Sequence, residues 1–355
     1  MPSWDNDPKG TMTAAVLTSV GAKPPSDCFN LNHSYPKPSL PGPEWVLVRV
    51  KAAGLNRAEL RSRKGEKPGM PEFGIFQAEY HEDPPQILGE EFVGIVEGAG
   101  EKTGFKPGDR VAGWAYGGGK AHDGSYAQYT ICHSRRCFRL PDTALAWDVL
   151  GGTCMSMWTA WGALFETARI ASTSTVLVHG ATSSVGLWAV LLAKEHGCTV
   201  FATTRQKEKI ERLRQAGADY VLLEEELEGS LNEIVPDGVD CVLELLGPDT
   251  LLSVGLKHLK MHGIVVVVGI LAGWGSGISP FLIPSTRKLS FFTSSGDEGL
   301  ENLPRVMEDV VRKVEGGVYR KEVFVDKVFE LREVGLAHRH MEENKAVGKV
   351  VMEIP

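Results

Sequence analysis

The chain has 355 residues, of which 43% are hydrophobic and 23% charged, values typical of a globular protein large enough for two domains. Its net charge of −7 argues against nucleic acid as a partner. No apolar run is long enough to cross a membrane, and the first residues lack a signal core. The six cysteines show no paired spacing. We therefore expect a cytoplasmic protein with reduced thiols, and neither a membrane nor a nucleic-acid partner.

The first part of the chain, from Ala14 to about Pro141, consists of short apolar runs separated by Gly and Pro. This spacing predicts strands at 14–17, 45–50, 94–97 and 110–113 and indicates a small β barrel. A local cluster of possible metal ligands follows, and we interpret it as a surface strand and turn. It comprises Cys132, His133 and Cys137.

The stretch 175–186 predicts a buried strand followed by a tight turn, and 187–196 predicts a mostly apolar helix that ends before Gly197. The first amides of a helix lack internal partners and carry the positive end of its dipole, so a diphosphate is expected there. The usual glycine fingerprint is incomplete, because Gly180 and Gly186 frame the turn but serines occupy its middle. The residues expected to contact the cofactor are Ala181, Thr182, Ser183, Ser184 and Val185.

Strands and helices alternate after this turn. Strands are predicted at 198–203, 220–222, 240–245 and 264–269, with a helix at 206–216. This alternation predicts a doubly wound parallel sheet with helices on both faces and a ligand at the carboxyl ends of the strands. Together with the turn, it predicts a Rossmann domain that binds a dinucleotide.

The end of the second of these strands indicates which dinucleotide is bound. NAD enzymes usually place a carboxylate there against the ribose hydroxyls, whereas this chain has hydroxyls and cations. Charge-assisted donors suit a ribose phosphate, so NADPH is the predicted cofactor, held by Thr204, Arg205 and Lys209. The alternative is that these cations belong to a solvated helix face.

Nine short segments, spread over almost the whole chain, carry a family resemblance. They are 53–60, 87–94, 108–111, 124–129, 150–152, 159–161, 180–186, 216–219 and 341–351. In these segments, and in their order, the chain resembles the medium-chain dehydrogenase/reductase superfamily and, within it, the zinc-free quinone oxidoreductase group.

The resemblance implies an α/β protein with two domains and an active site in the cleft between them. A GroES-like β barrel would comprise 1–147 and 318–355, and a Rossmann NADP-binding domain with a doubly wound parallel sheet would comprise 148–317. Relatives commonly dimerise through a late Rossmann strand, so a homodimer formed through 288–293 is expected.

The resemblance also implies where a catalytic zinc would be held. At the matching positions this chain has Asn56, Glu90 and Met155, and Asn and Met are poor zinc ligands. The four closely spaced cysteines of a structural zinc lobe are missing as well. The sequence therefore predicts no metal.

Without a Lewis acid, hydride from a nicotinamide adds most readily to quinones and α,β-unsaturated carbonyls, because the charge delocalises onto oxygen. Zinc-free relatives with an assigned acid use a Tyr where this chain has Lys67. The segment after it, up to about residue 86, is longer than in relatives and is expected to shape the substrate pocket. The proton would come from Lys67, Tyr80 or His81; water reaching a surface loop is an equally good interpretation.

Further contacts are implied by the resemblance alone. Asn56 would face the nicotinamide ribose and the substrate, unless it only caps a turn. Glu224 stands where several relatives have a Tyr near the adenosine phosphate, which argues slightly against NADPH. Other cofactor contacts would come from Thr159, Leu246, Gly269, Ile270, Leu271, Phe292 and Lys349, although Thr159 could bond its own helix, the Leu and Ile side chains could be core, and Lys349 could be a surface cation.

The sequence thus predicts a zinc-independent, NADPH-dependent reductase of quinones or α,β-unsaturated carbonyls. Two alternatives stay open: a trans-acting enoyl reductase that serves a biosynthetic assembly line and acts on carrier-bound enoyl thioesters, and a non-catalytic NADPH-binding structural or trafficking protein. The first alternative would be favoured by a wide apolar pocket near Phe73, Phe76, Trp274 and Phe281. Binding of NADPH without turnover would favour the second.

Overall fold

The computed structural model describes residues 10–21, 24–66, 87–114, 118–269, 279 and 282–355. The chain divides into two compact units. The first unit contains the chain up to Met155 together with Glu301–Val318 and Val325–Pro355, and the second contains Ser156–Leu300 and Tyr319–Phe324. Compared with the boundaries expected from sequence, 148–155 and 301–317 group with the first unit and 319–324 with the second.

The elements are numbered in chain order. The strands are β1 (Thr11–Leu17), β2 (Phe29–Pro36), β3 (Trp45–Gly54), β4 (Glu91–Ala99), β5 (Arg110–Trp114), β6 (Tyr129–His133), β7 (Cys137–Arg139), β8 (Thr175–His179), β9 (Thr199–Thr204), β10 (Tyr220–Leu223), β11 (Val239–Glu244), β12 (Leu259–Val267), β13 (Lys288–Phe291), β14 (Val325–Glu330) and β15 (Lys349–Glu353). The α-helices are α1 (Arg57–Lys64), α2 (Trp147–Gly151), α3 (Cys154–Trp161), α4 (Ser184–Glu195), α5 (Ile210–Gln215), α6 (Leu227–Ile234), α7 (Pro248–Thr250), α8 (Leu303–Glu315), α9 (Lys321–Phe324) and α10 (Val334–Glu342). None of the helices in the described ranges combines the length and apolar character needed to cross a bilayer.

The first unit is built on a seven-stranded sheet. Its strand order is β14-β15-β3-β4-β5-β7, with β6 also paired to β3, and every pairing except β14 with β15 is antiparallel. β1 and β2 form a separate antiparallel pair. The strands predicted for the barrel are confirmed as β1, β3, β4 and β5, and all four extend beyond their predicted bounds.

The second unit contains a six-stranded parallel sheet in the order β10-β9-β8-β11-β12-β13. Numbered within the unit, this is the order 3-2-1-4-5-6 of a doubly wound fold, which confirms the predicted fold class. The order reverses between β8 and β11, so a dinucleotide is expected at the carboxyl ends of these two strands. Among the strands of the described ranges, β13 is the last of this sheet, as dimerisation through it would require; the homodimer itself stays a prediction.

Three local features differ from the expectations. α4 begins at Ser184 rather than at residue 187, so part of the predicted turn is helical. The helix expected at 206–216 is divided into a 3₁₀ turn, Lys207–Lys209, and α5. Cys132 and Cys137 lie on β6 and β7, but their thiols are buried rather than at the surface.

Candidate functional site

The turn between β8 and α4 is held by one serine. The Ser183 hydroxyl donates to the Gly180 carbonyl at 3.0 Å and accepts from the Gly186 amide at 3.1 Å. A Cβ at position 186 would lie 2.7 Å from backbone atoms of Gly180 and Ala181, so the turn requires glycine there. Ser184, the first residue of α4, accepts a hydrogen bond from Ser156 of α3 at 3.0 Å.

This turn fits the diphosphate of a dinucleotide. Ala181 is buried, whereas Thr182, Ser183, Ser184 and Val185 are half-buried. Small side chains leave room for phosphate oxygens near the backbone, and a helix of twelve residues directs its amino-terminal dipole at the turn. Because the Ser183 hydroxyl already bonds within the turn, a phosphate would be bound chiefly by backbone amides.

The end of β9 supplies the residues predicted to bind a ribose phosphate. Thr204 is 4% exposed, and its hydroxyl accepts from the Gln206 amide at 3.1 Å. Arg205 is exposed, but Lys209 is only 8% exposed. Arg205 is therefore the better placed of the two predicted cations to meet a ligand from solvent.

A buried histidine joins the ends of four neighbouring strands. His179, the last residue of β8, has its Nδ1 at 2.8 Å from Glu244 of β11 and its Nε2 at 3.3 Å from Glu224, just after β10. The Thr203 hydroxyl of β9 donates to the other Glu224 oxygen at 3.3 Å and accepts from the Gly180 amide at 3.1 Å. We refer to these four side chains, His179, Thr203, Glu224 and Glu244, as the strand-end network.

The strand-end network holds a positive charge on His179. Burial alone would lower the pKa of His179, but hydrogen bonds to Glu224 and Glu244 outweigh it and raise the pKa to about 9. Burial also opposes ionisation of Glu224, yet its bond to His179 holds the pKa of this carboxyl below its usual range. At neutral pH the network therefore contains an imidazolium between two carboxylates.

In the first unit, Asn56 lies in a buried group of charges. Its Oδ1 accepts from the Lys349 ammonium at 2.8 Å, and its Nδ2 donates to Glu91 at 3.1 Å and Glu59 at 3.4 Å. Lys349 also pairs with Glu91, and both side chains are 1% exposed. Because Lys349 can only donate and carboxylates accept, the orientation of the Asn56 amide follows from its partners. We call Asn56, Glu59, Glu90, Glu91, Lys120 and Lys349 the Asn56 cluster.

The remaining contacts of the Asn56 cluster involve backbone amides and a second lysine. Glu59 accepts from the amides of Asn56 at 2.5 Å and Glu90 at 3.1 Å, and Glu91 accepts from the Met155 amide at 3.0 Å. Lys120 pairs with Glu90 at 3.2 Å. Burial, reinforced by the charge of Glu90, raises the pKa of Glu59 to about 8, against the opposing effects of the Glu90 amide and the Lys349 ammonium.

The other predicted contacts are placed as follows. Thr159 lies in α3 and is 7% exposed, and Phe292 is buried against Gly162. The Leu246 and Gly269 amides donate to the Glu244 side chain at 2.8 Å and backbone carbonyl at 3.3 Å, respectively. Several predicted residues lie outside the described ranges: Lys67, Tyr80, His81, Ile270 and Leu271, and the pocket residues Phe73, Phe76, Trp274 and Phe281.

Most partners of His179 and Asn56 were not predicted from the sequence. A titratable residue that follows three apolar residues at the end of a strand, as in β8 and β11, was the available signal for His179 and Glu244. The spacing of Asn56 and Glu59 is that of a capping box, which would have indicated their backbone contact. Nothing comparable pointed to Lys120.

Comparisons with known proteins agree with this architecture. Residues 42–142 match the alcohol dehydrogenase GroES-like domain, and 184–311 match the zinc-binding dehydrogenase family. A probable quinone oxidoreductase of Leishmania amazonensis is 31% identical over 326 residues, which cover 87% of this chain and 88% of that protein. The crystal structure of AibC superimposes with a TM-score of 0.80 at 26% identity and covers 98% of this chain and 97% of AibC.

A second relative is much larger than this chain. The mycocerosic acid synthase-like polyketide synthase of Mycobacterium tuberculosis is 29% identical over 328 residues, which are 89% of this chain but 14% of the synthase.

The two matched families, the near full-length relative and the two-unit fold lead to one assignment. The chain belongs to the medium-chain dehydrogenase/reductase superfamily of oxidoreductases, whose fold implies a nicotinamide cofactor.

Proposed function

We propose that this oxidoreductase is a zinc-independent, NADPH-dependent reductase of quinones or α,β-unsaturated carbonyls. The observation that carries the proposal is the Lys349 ammonium, buried 2.8 Å from Asn56 Oδ1. Zinc-dependent members of the superfamily place a metal-ligating cysteine at the position of Asn56. In this chain the Lys349 ammonium donates a hydrogen bond to Asn56 instead.

The charges around Asn56 disfavour a metal cation. Lys349 pairs with Glu91, and Lys120 pairs with Glu90, so two of the carboxylates that could bind a cation already have ammonium partners. A divalent ion bound by Asn56 would lie close to the Lys349 ammonium in a buried site, where repulsion between like charges is strong. Asn and Met side chains would contribute little affinity to offset it.

Asn56 can accept a further hydrogen bond but has no spare donor. Both hydrogens of its amide are directed at Glu59 and Glu91, while Oδ1 uses one of two lone pairs for Lys349. We infer that it accepts from a hydroxyl of the cofactor ribose or from water. Its position is fixed by Lys349 and Glu91 before any ligand arrives, as preorganised positioning requires.

The Asn56 cluster contains three carboxyl side chains and two ammonium groups, and burial, reinforced by the charge of Glu90, raises the pKa of Glu59 to about 8. When bound, a nicotinamide dinucleotide supplies a hydride, and reduction of a conjugated carbon-carbon bond also needs a proton. Lys67, Tyr80 and His81 remain the proposed proton donors to the substrate.

The choice of NADPH is supported by the end of β9. The residues there are Thr203 and Thr204, followed by the exposed Arg205, and none of the three is an acid. A carboxylate at this place would repel a ribose phosphate, whereas a guanidinium can bind it with two parallel hydrogen bonds.

A second candidate is reduction of enoyl thioesters for an assembly line. The observation that favours it is the match of 89% of this chain to part of a polyketide synthase. The two candidates share cofactor and hydride chemistry and differ in the acceptor, since a thioester would arrive on a carrier.

The test is steady-state oxidation of NADPH and NADH with a panel of quinones, enones and enoyl thioesters, before and after dialysis against a chelator. We expect turnover with NADPH and a quinone or enone, unchanged by the chelator. A preference for enoyl thioesters would favour the second candidate. Loss of activity on chelation, restored by zinc, would refute zinc independence, and NADPH binding without turnover would indicate a non-catalytic protein.

A further inference from the structure

The strand-end network places a carboxylate beside the proposed phosphate-binding residues. Glu224 follows β10, and its amide donates to the Thr204 carbonyl at 3.0 Å, so the two residues are neighbours across the sheet. The Glu224 side chain is 24% exposed, and the charge of Arg205 acts on it. An ionised carboxylate in this position would be expected to repel a second anion.

The side chain of Glu224 is turned towards the protein interior. One carboxylate oxygen accepts from His179 at 3.3 Å, and the other accepts from Thr203 at 3.3 Å. His179 is fully buried, and its second nitrogen lies 2.8 Å from Glu244, whose other oxygen accepts from the amides of Leu246 and Gly247. Glu244 thus fixes the position of the imidazole, and the imidazole fixes the orientation of the Glu224 carboxylate.

The protonation state of His179 sets the net charge beside the proposed phosphate-binding residues. The charged groups acting on His179 and Glu224 from the neighbouring strand ends are Glu244 on β11 and Arg205 after β9. With His179 protonated, two cations and two carboxylates sum to zero. With His179 neutral, the same group carries one net negative charge, next to Thr204 and Arg205.

We propose that His179 is a specificity-determining positioning residue, which neutralises Glu224 and turns it away so that the site accepts a dinucleotide bearing a ribose phosphate. This inference rests on the proposed use of NADPH. It adds the reason why an acid next to the phosphate site is compatible with that cofactor. His179 is fully buried, so it would act through Glu224 rather than by contact with a ligand.

The test is a double-mutant cycle on cofactor affinity with His179→Gln, Glu224→Gln and the combined variant. Dissociation constants for NADPH and NADH are measured by fluorescence titration at pH 7.5. We expect His179→Gln to weaken NADPH about tenfold relative to NADH, an effect of about 1.4 kcal/mol. Glu224→Gln alone is expected to change this ratio less than about threefold, and the combined variant to restore it.

A pH series on the unmutated protein gives a second test that does not depend on the folding of a His179 variant. Because the pKa of His179 is about 9, the affinity ratio of NADPH to NADH should fall as pH rises from 8 to 10. Glu224→Gln is the matched control, in which the ratio should change less, since titration of exposed lysines affects both proteins.

The outcomes separate the inference from the proposed function. The unmutated protein's preference for NADPH reports on the proposed function, and an NADH preference would overturn both. If NADPH is preferred but His179→Gln weakens both cofactors equally without rescue by Glu224→Gln, His179 is only structural and the inference is wrong. A flat pH series would overturn it as well.

Discussion

Lys349 and Glu91 show how a residue far along the chain can fix a site residue. They pair in the Asn56 cluster, both 1% exposed, and both also bond Asn56. A buried charge that loses its partner is strongly destabilising, while replacing both partners by neutral groups of similar size costs much less.

We predict that Lys349→Met lowers the free energy of unfolding by about 3–5 kcal/mol because Glu91 is left buried without its ammonium. The double variant Lys349→Met with Glu91→Gln should recover part of this loss. Urea unfolding at pH 7 measures both values. Lys345→Met is the matched control: its ion pair with Glu343 is exposed, so a change below about 0.5 kcal/mol is expected. Equal effects at 345 and 349 would contradict the buried pair.

His338 provides a residue-scale prediction on pH. The ring is fully buried between the rings of Phe29 and Tyr126, with centroids 5.0 and 5.8 Å away, and its nitrogens have no hydrogen-bond partner among the described residues. Burial, assisted by the charge of Arg63, lowers the pKa of His338 to about 3. The neutral ring is therefore favoured in the folded protein.

Since the unfolded chain takes up this proton near pH 6.5 and the folded protein only near pH 3, stability is lost as pH falls through this window. The loss from His338 at pH 5 is about 2 kcal/mol. Replacement by Phe should remove this part of the acid dependence, which urea unfolding between pH 7 and 5 would detect. If the free energy of unfolding falls equally between pH 7 and 5 in both proteins, the buried imidazole is not the cause of that fall.

At the scale of elements, the junction of β8 and α4 depends on one glycine. Gly186 lies within α4, where alanine normally stabilises a helix, but a Cβ there would press on backbone atoms of Gly180 and Ala181 at 2.7 Å. Backbone cannot move aside as a flexible side chain can. The same substitution should therefore have opposite effects at a crowded and at an open helical position.

We predict that Gly186→Ala lowers the free energy of unfolding by about 1–3 kcal/mol and weakens dinucleotide binding. Gly229→Ala in α6 is the matched control: a Cβ there meets nothing within 4 Å, so a gain of about 0.5–1 kcal/mol is expected. Thermal unfolding measures the change in stability of both variants, and cofactor titration measures their affinity for the dinucleotide. Stabilisation by Gly186→Ala would mean that the turn is looser than described.

Most elements were predictable because their patterns are local. The apolar runs of β8 and β11 and the small residues before α4 identified the parallel sheet and its turn. The clusters were not predictable in the same way, since His179 and Glu244 are 65 residues apart and Lys349 and Glu91 are 258 apart. Sequence spacing shows that such residues are buried but not which partner each one meets.

At the scale of the whole molecule, the boundaries between units depended on packing rather than on pattern. α8 is strongly amphipathic, with Val306, Met307, Val310 and Val311 buried, and it groups with the first unit although it was expected in the Rossmann domain. An amphipathic pattern shows that one face of a helix is covered. It carries no information about which sheet covers it.

Because cofactor binds only the folded protein, NADPH should raise its thermal stability. At a concentration 100 times its dissociation constant, a ligand adds about 2.7 kcal/mol, which corresponds to a rise in Tm of about 4 °C. NADH at the same concentration should give a smaller rise, since it lacks the phosphate that Arg205 would bind.

Arg205→Ala should reduce the NADPH shift towards that of NADH while leaving the ligand-free Tm within about 1 °C, because Arg205 is exposed. Differential scanning fluorimetry measures all four shifts, and an Arg205→Ala protein that keeps the full difference between the cofactors would show that the phosphate is bound elsewhere.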